Sequence, residues 1–217
     1  MSTCTVLVPL RSPGRGKTRL ATHLSPAARA SLAGAMLADV ATALATAPVD
    51  EVVVVAGGPA AAAAAAALGL DALIDPPDVA TLDGALRAAA ARLGPRPELL
   101  VVAADLPRLT AADVAAVRAD DADVVVAPTA DGGTGVLVRR PAGVIPTRYG
   151  VSSARKHLAL ARRAGVTAGT VHRAGAAYDV DTVADLTALR DAPVGPATRR
   201  LLAAWEVTAP LAPPRIA

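Results

Sequence analysis

The sequence predicts an α/β protein in which a parallel sheet carries helices on both faces. Three observations lead there. Four apolar runs, residues 5–8, 52–55, 99–103 and 124–127, are short and valine-rich, as strands covered on both faces are. Segments with helical periodicity separate them. The 217 residues are 53% hydrophobic and 19% charged, enough apolar material for one sizeable core.

The elements follow in chain order. After strand 5–8, Ser25 precedes Pro26, an N-cap followed by proline at the first helical position. That helix runs to about Ala45, with Leu32, Met36, Val40 and Leu44 on one face. Strand 52–55 leads through Gly57-Gly58-Pro59 into an alanine-rich helix near 59–68. A helix at 82–93 stops at Gly94-Pro95, and strand 99–103 precedes a short helix capped by Thr110. After strand 124–127, the turn Asp131-Gly132-Gly133 introduces a strand at 134–139. A helix at 152–164, an extended piece at 166–171, a helix at 182–189 capped by Thr182 and a helix at 196–205 complete the series. One domain is expected over 1–206, with a proline-rich tail at 207–217.

Composition excludes several functions. Aromatics are 1% (Tyr149, Tyr178, Trp205), too few for nucleic-acid binding by base stacking. A net charge of +3 suits a small anionic substrate and does not by itself indicate DNA or a membrane. The single cysteine, Cys4, forms no internal disulfide and reads as a small buried hydrophobe. No secretory signal is seen at the N-terminus, so a cytoplasmic location is expected. Residues 52–70 are uncharged and long, but alanine dominates and Gly57-Gly58-Pro59 interrupts them, so no membrane span is expected.

Open α/β sheets bind ligands beyond the carboxyl ends of their strands, and candidate chemistry follows each strand. After the first, Gly14 and Gly16 sit among Arg11, Arg15, Lys17 and Arg19, a loop suited to a polyphosphate or simply a solvated basic turn. The G-x-x-x-x-G-K-[ST] spacing of a P-loop is absent. Ala104-Asp105-Leu106-Pro107 puts a carboxylate at a strand end, either a Mg²⁺ ligand or a turn cap. Asp179 and Asp181 share one face if the segment is extended, so one or both join Asp105 at a metal, or Asp181 caps the following helix. Thr134 follows two glycines, and Gly150, Ser152 and Ser153 open a helix whose free N–H groups suit an anion; a hairpin turn and a serine cap are the plainer readings. His23, His157 and His172 have no zinc-like spacing and read as structural or surface residues. No Gly-x-Ser-x-Gly elbow is present.

Taken together, these segments resemble the 2-phospho-L-lactate guanylyltransferase family, also described as phosphoenolpyruvate guanylyltransferase. The likeness spans about residues 6–189. It rests on Val8-Pro9-Leu10 with Lys17-Thr18-Arg19-Leu20-Ala21, on Ala104-Asp105-Leu106-Pro107, and on Asp131-Gly132-Gly133-Thr134. Gly150-Val151-Ser152-Ser153-Ala154-Arg155-Lys156-His157 and Asp179-Val180-Asp181-Thr182 complete it. The resemblance implies a three-layer nucleotidyltransferase-type (Rossmann-like) fold with a mostly parallel mixed central sheet. It implies transfer of GMP from GTP to a phosphorylated three-carbon acid, with Mg²⁺, in coenzyme F-420 biosynthesis, and passage of an unstable product to the next pathway enzyme. Carried over by motif, Asp105 and Asp181 hold magnesium. Thr134, Gly150 and Ser153 bind the acceptor, and Lys17 with Arg11 and Arg15 faces the GTP phosphates. The family often reads Gly-Leu-Asn where this chain has Thr81-Leu82-Asp83, so Asp83 is the expected guanine contact. The other readings are a molybdopterin or sugar-phosphate nucleotidyltransferase, a small glycosyltransferase, or a nucleotide-binding module without catalysis.

Overall fold

The computed structural model describes residues 3–11 and 17–208. Its strands are β1 (Cys4–Leu10), β2 (Glu51–Ala56), β3 (Asp71–Ile74), β4 (Glu98–Val102), β5 (Val124–Pro128), β6 (Thr134–Arg139) and β7 (Ala168–Thr170). They form one sheet in the order β3-β2-β1-β4-β6-β5-β7. Every neighbouring pair is parallel except those of β6, which runs antiparallel to both β4 and β5. The sheet is therefore mixed and mostly parallel, as expected. Strand β3 escaped the sequence reading, because Asp71–Ile74 is only four residues long and follows directly on the alanine-rich helix.

The helices are α1 (Pro26–Ala45), α2 (Pro59–Ala66), α3 (Leu82–Leu93), α4 (Ala111–Arg118), α5 (Ser153–Ala164), α6 (Val183–Ala188) and α7 (Pro196–Thr208). Alternation along β1 shows how they are layered. Val6, Val8 and Leu10 point into a core shared with α1, α2 and α4, whereas Leu7 points into one shared with α3 and α5. Burying each such Val or Leu contributes roughly 1.5–3 kcal/mol.

Helix α1 is long and apolar enough to cross a membrane by length and composition. Here Leu37, Val40 and Leu44 pack on the sheet, while Leu32 and Met36 pack on α6, α7 and the segment before them. That makes α1 a core helix. Ser25 caps it as expected, accepting from the Ala28 N–H. On the same helix, buried Asp39 accepts from the Ala197 and Thr198 N–H groups at 2.8 and 2.9 Å, which fastens α7 across α1. Helix α7 extends two residues past the boundary expected at 206, and residues 209–217 of the expected tail lie outside the described residues. Cys4 is buried, and burial pushes its thiol up to about 12, so it is an inert core residue.

Candidate active site

Strands β1 and β4 are parallel neighbours, with Leu7 opposite Val101, so the chain leaves both at the same edge. β6 runs the other way, which brings its first residue, Thr134, to that edge too. The segment after β7 is tied in by the Ala130 N–H, which donates to the Ala177 carbonyl at 2.9 Å. These connections enclose a cavity of about 490 Å³. Of the residues expected in a site, Arg11, Lys17, Asp105, Thr134, Gly150, Ser153 and Asp181 line it. Arg15 lies outside the described residues.

One wall is acidic, with a lysine set into it. Lys17 Nζ donates to Asp105 Oδ2 and, at 2.9 Å, to Asp181 Oδ1. Burial works against the lysine's charge, but the two carboxylates outweigh it and hold its pKa above the ordinary value. Its backbone is left-handed (φ 54°), a conformation that costs a non-glycine residue energy and persists only where the surroundings hold it. Asp181 is not a helix cap. Thr182 caps α6 in a reciprocal box with Asp185, which leaves the Asp181 carboxylate to Lys17.

Asp179 lines the same wall, so the two carboxylates do share a face. Burial, with Asp105, Asp131 and Asp181 close by, pushes its pKa up to about 6. A wall that suppresses ionisation of its own carboxylate calls for a cation. Among the described residues no group of three acid, histidine or cysteine side chains is gathered to ligate an ion unaided. The donor set nevertheless fits Mg²⁺, which takes one or two protein carboxylates and completes its shell with phosphate oxygens and water.

Hydroxyl-bearing residues line another part of the cavity, beside the Asp131 carboxylate. The Ala154 N–H donates to the Gly132 carbonyl at 3.3 Å, bringing the Asp131-Gly132-Gly133 turn onto the start of α5. Thr134 Oγ1 and Ser153 Oγ are then 2.9 Å apart, and Thr134 Oγ1 is 3.2 Å from His157 Nδ1. Gly150 has φ 102°, which glycine alone adopts without strain.

Two expectations change here. The Ser153 and Ala154 N–H groups are taken by the Gly150 and Gly132 carbonyls, so these two are not free for an anion. Ser152 occupies the N-cap position but makes no side-chain cap, so the plain serine-cap reading does not hold either.

Asp83 is also placed differently from its expected role. It does not line this cavity; its Oδ1 accepts from the Tyr149 N–H at 3.0 Å, pinning the 141–150 loop to α3. A second carboxylate, Asp75, stands next to this cavity. It lines an adjoining cavity of about 190 Å³ that shares Pro9, Leu10, Arg11 and Leu82 with the main one. Burial raises its pKa, while Arg11 opposes that shift. Asp75 is the first residue after β3, so the strand-end rule points to it once β3 is recognised. His157, expected as a structural or surface residue, is buried and lies four residues after Ser153, on the same face of α5.

The chain resembles known proteins over most of its length. Residues 4–201 match the family model described as guanylyl transferase CofC like. The chain is 33% identical to a phosphoenolpyruvate guanylyltransferase of Roseiflexus sp. over 198 residues, 90% of this chain and 88% of that protein. It is 35% identical to a 2-phospho-L-lactate guanylyltransferase of Methanothermobacter thermautotrophicus, covering 86% of this chain and 83% of that one. It is also 35% identical to a 3-phospho-D-glycerate guanylyltransferase of Phenylobacterium zucineum, covering 86% and 89%.

Among solved structures, a nucleotidyl transferase from Methanothermobacter thermautotrophicus superposes with a TM-score of 0.65 at 18% identity, covering 93% of this chain and 99% of that one. Rv0371c of Mycobacterium tuberculosis, in complex with manganese, shares the fold with a TM-score of 0.54 at 22% identity, covering 88% and 99%. A nucleotidyltransferase-type fold, an acidic wall bearing a lysine and a hydroxyl pair stand on a chain matched over nearly its whole length. The chain belongs to the CofC-like guanylyl transferase family of enzymes.

Proposed function

We propose that this enzyme transfers GMP from GTP to a phosphorylated three-carbon acid, releasing pyrophosphate, as a cytoplasmic step in making coenzyme F-420. The observation that carries this reading is the division of one cavity between a Lys17–Asp105–Asp181 wall and a Thr134–Ser153 wall. The first suits a triphosphate and its cation; the second suits a compact anion. Relatives matched over most of the chain are named for three such acids, which leaves molybdopterin and sugar-phosphate acceptors without support.

The acceptor's phosphate oxygen attacks the α-phosphorus of GTP in line. The bond from that phosphorus to the bridging oxygen breaks, and pyrophosphate leaves. The phosphate is ionised at neutral pH, so neither a strong general base nor a covalent enzyme intermediate is needed. Catalysis rests on positioning and on neutralising charge. Asp105 and Asp181 would hold Mg²⁺, with Asp179 beside them, and the ion would supply neutralising charge for the triphosphate. Lys17 and Arg11 draw the phosphates in. Asp75 accepts from guanine N1–H and the 2-amino group, replacing Asp83 in that role. Thr134, Gly150 and Ser153 hold the acceptor. The next enzyme of the route takes up the unstable diphosphate product.

The test is pyrophosphate release from GTP with phosphoenolpyruvate, 2-phospho-L-lactate and 3-phospho-D-glycerate, each compared with a phosphorylated alcohol lacking the carboxylate. At least one acid supports turnover and the alcohol is a very poor acceptor, because donors meant for the carboxylate are left unpaired. Equal use of the alcohol, or no release with any acid, overturns the reading.

A further inference from the structure

Helix α5 places a neutral histidine behind the hydroxyl pair. His157 is fully buried, and its Nε2 accepts from the Arg148 N–H at 2.9 Å. A backbone N–H only donates, so Nε2 carries no hydrogen. A neutral imidazole has one N–H, which must then be on Nδ1. That N–H points at Thr134 Oγ1, 3.2 Å away. Burial depresses the imidazole pKa to about 4, so the ring is neutral at pH 7 and this tautomer is the one present.

Thr134 Oγ1 accepts from His157 and is 2.9 Å from Ser153 Oγ, so one of the pair's two hydroxyl hydrogens lies between the oxygens. The other is left for the cavity, which Thr134 and Ser153 both line. The histidine is fixed from other sides as well. The Tyr149 ring packs edge-on against it with 5.1 Å between centroids, and Asp83 holds the Tyr149 N–H.

We propose that His157 is a positioning residue for guanylyl transfer: through the Arg148 N–H and Thr134 it commits the Thr134–Ser153 hydroxyl pair to donating one hydrogen into the cavity. An obligate donor selects a ligand group that only accepts, such as the phosphate or carboxylate of the acceptor, and disfavours a hydroxyl that must itself donate there. This inference rests on the acceptor-site reading above, and it accounts for a histidine that touches neither substrate nor metal.

Two measurements test it. The first needs no turnover. In ¹⁵N-histidine NMR spectra at pH 7, His157 shows the tautomer protonated on Nδ1; protonation on Nε2 overturns the proposal even if the enzyme is active. The second compares three variants. His157→Asn places an amide, with its N–H donors, near the Nδ1 position, His157→Gln places one near the Nε2 position instead, and His157→Leu keeps neither. The acceptor KM rises about 10- to 100-fold in the Gln and Leu variants, the scale of a lost hydrogen bond to a charged group, while the GTP KM stays within about threefold. The Asn variant recovers most of the acceptor affinity. If Leu does not fold, Asn against Gln still decides: equal acceptor KM values overturn the relay. A wild-type enzyme that accepts none of the three acids overturns the acceptor-site reading instead, leaving the tautomer result to stand or fall alone.

Discussion

Lys17 Nζ lies 2.9 Å from Asp181 Oδ1, although 164 residues separate them in the chain. The same ammonium meets Asp105, so one lysine bridges two carboxylates that would otherwise repel each other and offsets half of their charge. Substituting either partner should have separable effects. Lys17→Ala raises the GTP KM far more than the acceptor KM. Asp105→Asn lowers turnover at least about 100-fold, the scale of losing a key electrostatic stabiliser. Steady-state kinetics with each substrate varied in turn at saturating Mg²⁺ measures both. Near-wild-type turnover in Asp105→Asn would remove it from the metal site.

Asp75 offers a test of base recognition. A carboxylate there accepts from guanine N1–H and from the 2-amino group, and inosine lacks the second of these. Asp75→Asn therefore weakens GTP by about 10-fold or more and narrows its advantage over ITP. Parallel kinetics with GTP and ITP provide the ratio. An unchanged preference in the variant would place the base elsewhere.

Asp179 links pH, stability and function. Its folded pKa of about 6 lies above the ordinary 3.8. The unfolded chain gives up this proton first, so the stabilisation from the protonated carboxyl is complete below pH 3.8 and is lost as pH climbs through 6. Asp179→Asn is thus expected to stabilise the ligand-free protein at pH 8 by about 1 kcal/mol, discounted for solvent access, while lowering metal-dependent turnover. Thermal unfolding at pH 4 and pH 8 reads the difference; an equal shift at both values would dissociate it from ionisation.

Arg139 marks a cost elsewhere. It is 5% exposed; its Nη1 donates to the Ile145 carbonyl at 3.3 Å, and Nε and Nη2 meet no acceptor among the described residues. Replacing a poorly partnered buried cation by an apolar side chain is stabilising where packing is kept. Arg139→Leu should gain about 1 kcal/mol, or roughly 2–4 °C in the thermal midpoint of a chain this size. A fall in that midpoint would show that the guanidinium is better partnered than its geometry implies.

Much of this protein is written locally and so was legible in the sequence. Valine-rich runs and the Ser25, Thr110 and Thr182 caps depend on neighbours a few residues away, and these formed as expected. The strand-end rule then points to Arg11, Lys17, Asp105 and Asp181, because a parallel sheet delivers its carboxyl ends to one edge. Tertiary structure decided what these residues do to one another. Reversal of β6 between β4 and β5 carries Thr134 to the site, and no local pattern encodes strand order. Lys17 found its carboxylates across 88 and 164 residues, Asp83 was taken by the Tyr149 N–H, and Asp75 came forward at the end of a strand too short to read. Hydrogen bonds and ion pairs between distant segments depend on a few tenths of an ångström in how sheet and helices pack, and that spacing exists only once the core has closed.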